Sequence, residues 1–412
     1  MFDLRIVAKN FFSLSGANIA SKFLEYLAIV YLARSLGSET FGEIAFAQAL
    51  FVYFTFLADF GLQTLGTRDI ARGRWNLKEY AGQMLSLRLF LAILSFVLVL
   101  LLALFIPKPP EIKGLIILYG LSLFPLAVLL EWFFQGLEAM HYIGIGRIVR
   151  SIIFIALVFS FIKKREHLLA IPVYYFVATC VSAGFLYLIF SKKYGRARLN
   201  RNVRMWQEFL KESLPMGLAF IMATIYIQIS TVLLGFLKSS SVVGNYNAAY
   251  KIVLFLNAFG PLFGAAILPT ISRYYVESPQ KLRSFLYQYS KLTTLIGFLI
   301  ALGGTILGKQ IITIIYGPEY KESILAFRIL IWSVVAVYAN IPWSFSLLGC
   351  GQQKGYLCSS AIAMVIGIGM NFYLILKHSL NGAAFATMFT EFTVLIMFYI
   401  YSQRTVLKYQ EA

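Results

Sequence analysis

Residues 11–32, FFSLSGANIASKFLEYLAIVYL, are long enough and apolar enough to cross a bilayer as one helix, which needs about 20 residues. Polar side chains nevertheless recur in this stretch at steps of three and four: Ser15, Asn18, Lys22, Glu25 and Tyr26. This spacing places them on one face of a helix. Charged residues inside a membrane cost at least about 2.5 kcal/mol each, so they normally face a protein interior or a water-filled cavity. We therefore predict a membrane helix whose polar face lines a cavity. The alternative is an ion pair between Lys22 and Glu25 within a helix bundle.

The composition of the whole chain is typical of an integral membrane protein. Of its 412 residues, 59% are hydrophobic and 13% are charged, with a mean hydropathy of +0.76, whereas soluble domains contain about 25% charged residues. Apolar segments recur along the chain with short connections between them. They lie at 11–33, 40–60, 83–106, 114–135, 147–162, 168–190, 213–237, 244–269, 290–315, 324–348, 356–376 and 382–402. The sequence thus predicts an all-α membrane protein with about twelve transmembrane helices.

The two halves of the chain resemble each other. Lys9 and Lys211 each precede a first span, Gly42 and Gly244 each open a second, and both pairs lie 202 positions apart. Six spans followed by six more indicate two six-helix bundles, related by a pseudo-twofold axis along the membrane normal. The predicted parts are an N-terminal bundle at 1–191, a basic cytoplasmic linker at 192–211 and a C-terminal bundle at 212–412.

Lysine and arginine are concentrated in alternate loops, most densely in residues 192–211. The positive-inside rule then places both termini in the cytoplasm. The net charge of +18 is explained as a topology signal and as attraction for anionic membrane lipids. Binding to nucleic acid is not expected, because the short loops leave no room for a domain that would do it.

The eighth segment repeats the polar pattern of the first. Asn247, Tyr250 and Lys251 fall on one face. If the halves pack as repeats, Lys22 and Lys251 face one lumen, where two ammonium groups favour an anion such as phosphate or pyrophosphate. Snorkelling of Lys251 to the membrane interface is the alternative. The predicted substrate-binding residues of this cationic lumen are Lys22, Lys251, Asn18, Tyr26, Asn247 and Gln228.

Two carboxylates in the membrane segments are candidates for coupling transport to an ion gradient. Glu391 lies inside the last segment, flanked by Thr387 and Thr390, and Glu25 lies in the first. A carboxylate in apolar surroundings can take up and release a proton during transport. A plain hydrogen bond from Glu391 to a neighbouring helix is the alternative reading.

The sequence contains no pattern that indicates an enzyme. It has no Walker A motif, no nucleophile beside a base, and no paired-acid motif of a glycosyltransferase. Its three histidines, His141, His167 and His378, lie far apart, so we predict no metal site. We predict no cofactor and no catalytic residue.

Three stretches are similar to a known family: LARSLGSETFGEIAFAQAL at 32–50, ADFGLQTLGTRDIARG at 58–73 and EWFFQGLEAMHYIGIGRIVR at 131–150. They resemble the polysaccharide-synthase family of O-antigen (Wzx-type) flippases, within the multidrug/oligosaccharidyl-lipid/polysaccharide exporter superfamily. The resemblance implies two six-helix bundles around a cationic lumen, and alternating access without ATP. Basic residues in the first and eighth helices matter in relatives, and Lys22 and Lys251 occupy comparable segments.

The function that the resemblance implies is that of a flippase in polysaccharide and lipopolysaccharide biosynthesis. Its substrate would be an oligosaccharide on undecaprenyl or another polyprenyl pyrophosphate, moved to the outer leaflet of a bacterial cytoplasmic membrane. Arg147 and Arg150 are predicted at the cytoplasmic mouth, where they gather pyrophosphate or serve only as positive-inside residues. A polysaccharide polymerase and glycosyltransferases are the expected protein partners. The alternatives are a cation-coupled multidrug-type exporter and, third, a polysaccharide polymerase or ligase.

Overall fold

The structure, a computed structural model, describes residues 4–73 and 75–407, without the side chains of residues 4–15, 219, 353 and 354. Lys9 and Ser15, named above, thus have side chains outside the described part. The described residues are helical almost throughout and include no strand. In chain order the helices are α1 (Leu4–Asp59), α2 (Leu62–Ala71), α3 (Leu77–Phe105), α4 (Pro110–Leu121), α5 (Leu123–Val128), α6 (Glu131–Gly136), α7 (Met140–Phe161), α8 (Ala170–Tyr194), α9 (Val203–Leu237), α10 (Ser240–Asn257), α11 (Gly260–Glu277), α12 (Pro279–Tyr316), α13 (Ser323–Leu330), α14 (Ser333–Gly349) and α15 (Gln353–Ser402).

Ten helical segments among the described residues are long and apolar enough to cross a membrane. Two of them contain two predicted spans each, because a residue with positive φ interrupts the helix. The interruptions are at Gly37 (φ 77°) in α1 and at Ser379 (φ 52°) in α15. All twelve predicted spans are therefore accounted for, and the all-α membrane fold is confirmed.

Several segment limits differ from the predicted ones. The fifth segment begins at Met140 rather than at residue 147, and the fourth and tenth are broken into shorter helices. Hydropathy did not assign the first turns of α7 to the span, because these turns contain His141 and are followed by Arg147 and Arg150. Arg147 and Arg150 are tolerated there because acidic side chains pair with them inside the protein.

The chain forms two compact units. The first unit comprises Met1–Leu36 and Ala47–Ile221, and the second comprises Gly37–Phe46 and Met222–Ala412. The domain limits drawn from the repeat stay a prediction.

In the first unit, the two stretches 58–73 and 131–150 pack against each other through glycines. A Cβ atom on Gly66 would lie 2.5 Å from the ring of Trp132, and one on Gly136 would lie 2.6 Å from Ile70. The Trp132 ring is fully buried in the core of this unit. These contacts hold α2 against α6. Close packing therefore accounts for the glycines and the large apolar residues in the two stretches.

The break between α5 and α6 is stabilised by a buried arginine on α3. Arg88 donates hydrogen bonds of 3.2 Å to the carbonyl oxygens of Leu126 and Leu129, and its guanidinium lies 3.2 Å from the Asp59 carboxylate. Carbonyls at the end of a helix lack intrahelical donors. Arg88 supplies those donors, and Asp59 compensates its charge.

Part of the predicted linker is fixed to α3. Residues 195–202 are not helical and lie so close to α3 that a Cβ atom on Gly82 would be 2.2 Å from the carbonyl oxygen of Arg198. The backbone amide of Asn200 donates to Ser86 Oγ at 3.0 Å. The first turns of α9 bury Trp206 in the same core as Trp132, so this aromatic residue contacts protein rather than lipid.

In the second unit, the two halves of the sequence repeat meet in a reciprocal contact. A Cβ atom on Gly42 would lie 1.8 Å from the carbonyl oxygen of Ser240, and one on Gly244 would lie 1.8 Å from that of Ser38. Ser38 and Ser240, like the two glycines, are 202 positions apart. Each residue of the Gly42–Ser240 contact has its counterpart, 202 positions away, in the Gly244–Ser38 contact. Such a pair of equivalent contacts is expected of a pseudo-twofold repeat. Each helix uses a small-xxx-small pair to bring the backbones together.

Candidate functional site

The predicted polar face of α1 meets two arginines of α7. Arg147 Nε lies 3.0 Å from Glu131 Oε1, and Arg147 Nη1 donates to Asn18 Oδ1. Glu131 is the first residue of α6, where a carboxylate also interacts favourably with the helix dipole. Arg147 is therefore held between α1 and α6 inside the first unit.

One turn further along α7, Arg150 repeats this arrangement. Its Nη2 atom donates to Glu25 Oε1 at 3.3 Å, and Ser151 Oγ donates to the same oxygen at 3.4 Å. Asn18 and Glu25 are seven positions apart, about two helical turns, and Arg147 and Arg150 are three apart, so each pair shares one face of its helix and the two faces meet. We call Asn18, Lys22, Glu25, Glu131, Arg147 and Arg150 the α1–α7 cluster.

Lys22 gives the α1–α7 cluster an excess of positive charge. It lies between Asn18 and Glu25 on the polar face, is exposed, and interacts electrostatically with Glu25 and Arg147. No described residue forms an ion pair with Lys22. Three cations thus face two carboxylates, an arrangement that can accept an anionic group.

The sequence reasoning did not identify Glu131 as a partner of Arg147. The signal was present, since Glu131 opens the apolar stretch WFFQG and an acid there is unexplained unless it pairs. It also missed Asp59 and Arg88, because a hydropathy reading assigns charges near segment ends to the loops.

In the second unit, Asn247 is buried and its amide is engaged by neighbouring groups. Thr231 Oγ1 donates to Asn247 Oδ1 at 3.3 Å, and Asn247 Nδ2 donates to the carbonyl oxygen of Val243 at 2.9 Å. Its role as a substrate-binding residue stays a prediction. In the conformation described, both polar atoms of the amide serve helix packing.

A chain of hydrogen bonds joins α9, α10 and both parts of α15. Tyr246 Oη lies 2.9 Å from Thr387 Oγ1, which lies 2.8 Å from Ser230 Oγ, and Ser230 donates to Asn371 Oδ1 at 2.7 Å. Every member of this chain is satisfied, so the network fixes the packing of these helices.

The remaining predicted residues are distributed over both units. Tyr26 is half-buried in the first unit, and Gln228 and Lys251 are half-buried in the second. Lys251 follows Tyr250, whose ring stacks on Tyr246 with centroids 5.4 Å apart. That Lys22 and Lys251 share one cavity stays a prediction.

Glu391 is half-buried on α15, and its surroundings are aromatic. Tyr226, Tyr246 and Tyr356 interact with it electrostatically. No described residue forms a hydrogen bond or an ion pair with its carboxylate. Across the part of the chain that the structure describes, no group of three or more His, Cys, Asp and Glu side chains could hold a metal ion.

Comparisons with known proteins give distant relatives over nearly the whole chain. A Shigella dysenteriae protein named as an O-antigen transporter is 24% identical, covering 94% of this chain and 98% of that protein. The capsular polysaccharide biosynthesis protein CapF of Staphylococcus aureus is 23% identical, covering 97% of this chain and 100% of that protein.

Solved structures with a similar fold include two transporter types. The inward-facing conformation of a multidrug resistance MATE family transporter of the MOP superfamily has a TM-score of 0.74, at 16% identity, over 95% of this chain and 96% of that one. The lipid II flippase MurJ in its inward closed conformation has a TM-score of 0.72, at 14% identity, over 95% of this chain and 87% of that one. These likenesses show the fold.

Two family models match parts of the chain. The model named MatE matches residues 215–373. The model described as polysaccharide biosynthesis protein matches residues 7–275, more than half of the 412 residues. The chain therefore belongs to the polysaccharide biosynthesis protein family.

Proposed function

We propose that this protein is a flippase for an oligosaccharide carried on undecaprenyl or another polyprenyl pyrophosphate. It moves this substrate by alternating access from the cytoplasmic to the outer leaflet of a bacterial cytoplasmic membrane. Family membership and the names of the Shigella and Staphylococcus relatives support the substrate class. The density of basic residues at 192–211 supports cytoplasmic termini.

The observation that carries the proposal is the positive excess of the α1–α7 cluster. A pyrophosphate and its sugars cannot cross hydrocarbon, because their charges and hydroxyl groups would lose their hydrogen bonds. Lys22 is exposed and has no ion-pair partner among the described residues, so its ammonium group can hold a phosphate oxygen. Arg147 and Arg150 are already paired with acids, and they set the potential around Lys22.

A translocation assay tests this function. Liposomes containing the purified protein are loaded with a labelled polyprenyl-pyrophosphate oligosaccharide, and its access to an external sugar-modifying enzyme is followed. We expect wild-type protein to transport it, and Lys22→Ala with Lys251→Ala to slow transport about tenfold, through loss of charge-assisted contacts worth about 1.4 kcal/mol. Lys309→Ala, an exposed lysine of α12, is the matched control and should keep the wild-type rate.

The outcomes separate the function from its site. If the double variant transports at the wild-type rate, the flippase proposal stands and the two lysines are not its binding site. If folded wild-type protein transports no lipid-linked oligosaccharide, the flippase proposal is wrong.

Glu391 is the proposed coupling residue, with Glu25 as the rival. A carboxylate among aromatic rings, with no hydrogen bond or ion pair to a described residue, can exchange a proton during the cycle. We expect Glu391→Gln to abolish acceleration of transport by a pH gradient, while transport without a gradient persists. Glu25→Gln is made in parallel. Undiminished acceleration in Glu391→Gln would exclude Glu391 as the coupling group.

A cation-coupled multidrug-type exporter is the second candidate, favoured by the MATE structure of similar fold. An exporter of cationic drugs should present acids to its ligand, whereas the α1–α7 cluster has an excess of cations. Uptake of a cationic dye by the same liposomes, in place of the lipid-linked oligosaccharide, would favour this alternative.

A further inference from the structure

A groove runs along α12 in the second unit. It consists of a cavity of about 680 Å³ between α12, α14 and α15, and a second of about 340 Å³ nearer the start of α12. Tyr287 lines both cavities, so they adjoin. From Arg283 to Phe298 the groove follows α12 for about 22 Å, at 1.5 Å per residue.

The wall of the groove is built from three aromatic rings that are packed edge to face. The centroids of Trp343 and Tyr399 are 4.9 Å apart at 89°, and those of Tyr287 and Trp343 are 5.3 Å apart at 77°. The hydroxyl oxygens of Tyr287 and Tyr399 are 2.9 Å apart, and Gln403 Nε2 donates to the Tyr287 hydroxyl at 3.2 Å. These contacts hold the wall in place without a ligand, so the groove is preformed.

The groove is polar at one end and apolar at the other. Arg283, Ser284 and Lys291 lie toward the start of α12, whereas Leu295 and Phe298 lie deeper in the membrane-spanning part. None of the described residues that line the two cavities is acidic, and no described residue pairs with the exposed Lys291. Lys291 therefore presents a positive charge that no acid among the described residues compensates.

The apolar end opens outward. Leu295 is 54% exposed, Phe298 is 42% exposed and Ile396 is 51% exposed, and all three lie in segments that can cross a membrane. Side chains on the outer surface of a membrane-spanning segment contact lipid hydrocarbon rather than water. Tyr287, Trp343 and Tyr399 line the groove between its charged and its apolar part. Tyr and Trp residues in such a position are typical of the membrane interface. The groove thus has the polarity of an anionic amphiphile, with its charged group near Lys291 and its chain toward Phe298.

We propose that this groove binds a resident anionic membrane phospholipid, whose phosphate contacts Lys291 and one of whose acyl chains lies along Leu295 and Phe298. Charge selects the occupant, because a zwitterionic lipid would bring its own cation close to the ammonium group of Lys291. The groove shares no residue with the α1–α7 cluster, and its occupancy does not depend on the proposed transport.

Native mass spectrometry of the detergent-purified protein tests the site. With equal phosphatidylglycerol and phosphatidylcholine, wild-type protein should retain phosphatidylglycerol at least fivefold more. Lys291→Gln should lower that retention about fivefold, as expected for one basic residue at an anionic surface. Thr294→Trp, which fills the first cavity, should displace both lipids. Lys309→Gln and Leu299→Trp, exposed on the same helix outside the groove, are the matched controls.

Three results would overturn the proposal: equal retention of the two phospholipids by wild-type protein, wild-type retention in Lys291→Gln, or displacement of phosphatidylglycerol by a polyprenyl phosphate at equal concentration. The last would assign the groove to an isoprenoid chain. Melting temperatures of all variants, measured without added lipid, identify any variant that fails to fold. If Thr294→Trp does not fold, Lys291→Gln alone decides the proposal.

Discussion

Alanine at Gly42 or at Gly244 is expected to lower the free energy of unfolding by about 3 kcal/mol or more, because it places a methyl group where the backbone of the other helix already lies. The new Cβ atom would be 1.8 Å from a carbonyl oxygen in either case. A backbone atom in a helix cannot turn aside as a flexible side chain can. The two helices must therefore separate, which also stretches the 3.1 Å contact between Ser38 Oγ and Ser241 Oγ.

The measurement is unfolding by sodium dodecyl sulfate in mixed micelles, followed by circular dichroism. Gly303→Ala in α12 is the control, since a Cβ atom on this glycine would meet no other atom within 4 Å, and helix propensity alone should make the variant about 0.5–1 kcal/mol more stable. Equal effects at Gly42 and Gly244 follow from their reciprocal geometry. A stability like that of wild type in either variant would show that the close approach does not form.

The fold could be predicted from the sequence because a chain that crosses hydrocarbon must satisfy its backbone hydrogen bonds internally, which only helices and closed β-barrels do. Apolar runs of the required length must be helical, and this reasoning found every span. It could not find the break in the fourth segment, since that break depends on hydrogen-bond donors from elsewhere in the chain. Arg88 donates these hydrogen bonds to the carbonyl oxygens of Leu126 and Leu129. It lies about 40 positions away in the sequence, and no pattern near the two leucines indicates this contact.

The candidate site was predicted in part. The periodicity of Asn18, Lys22 and Glu25 correctly indicated one polar face, because helical spacing is a local property. The partners of that face lie more than 100 positions away, at Arg147 and Arg150. Tertiary packing decides such pairings, and a single sequence does not record which acid meets which base.

The same physics explains why charged residues are concentrated on α1 and α7. Each arginine in the α1–α7 cluster has an acidic partner, so the cost of removing it from water is offset. Lys22, lacking such a partner among the described residues, is exposed instead. Paired arginines can therefore hold the helices together while the exposed lysine remains available to a ligand. Stability and binding are then separable by mutation.

Glu131→Ala should cost about 3–5 kcal/mol of unfolding free energy, because it leaves the Arg147 guanidinium partly buried without its carboxylate. Glu131 is only 10% exposed and holds Arg147 through both carboxylate oxygens. Glu208→Ala is the matched control: it breaks an exposed i,i+4 ion pair with Arg204 and should cost about 0.3–0.5 kcal/mol. Unfolding in mixed micelles measures both.

A double variant distinguishes an uncompensated charge from lost packing. Glu131→Leu combined with Arg147→Met removes both charges and keeps most of the side-chain volume, so it should recover most of the stability that Glu131→Ala loses. If the double variant is as unstable as Glu131→Ala, the loss comes from packing at the start of α6 rather than from charge. Glu131→Ala with the stability of wild type would mean that Arg147 finds another acid or reaches water.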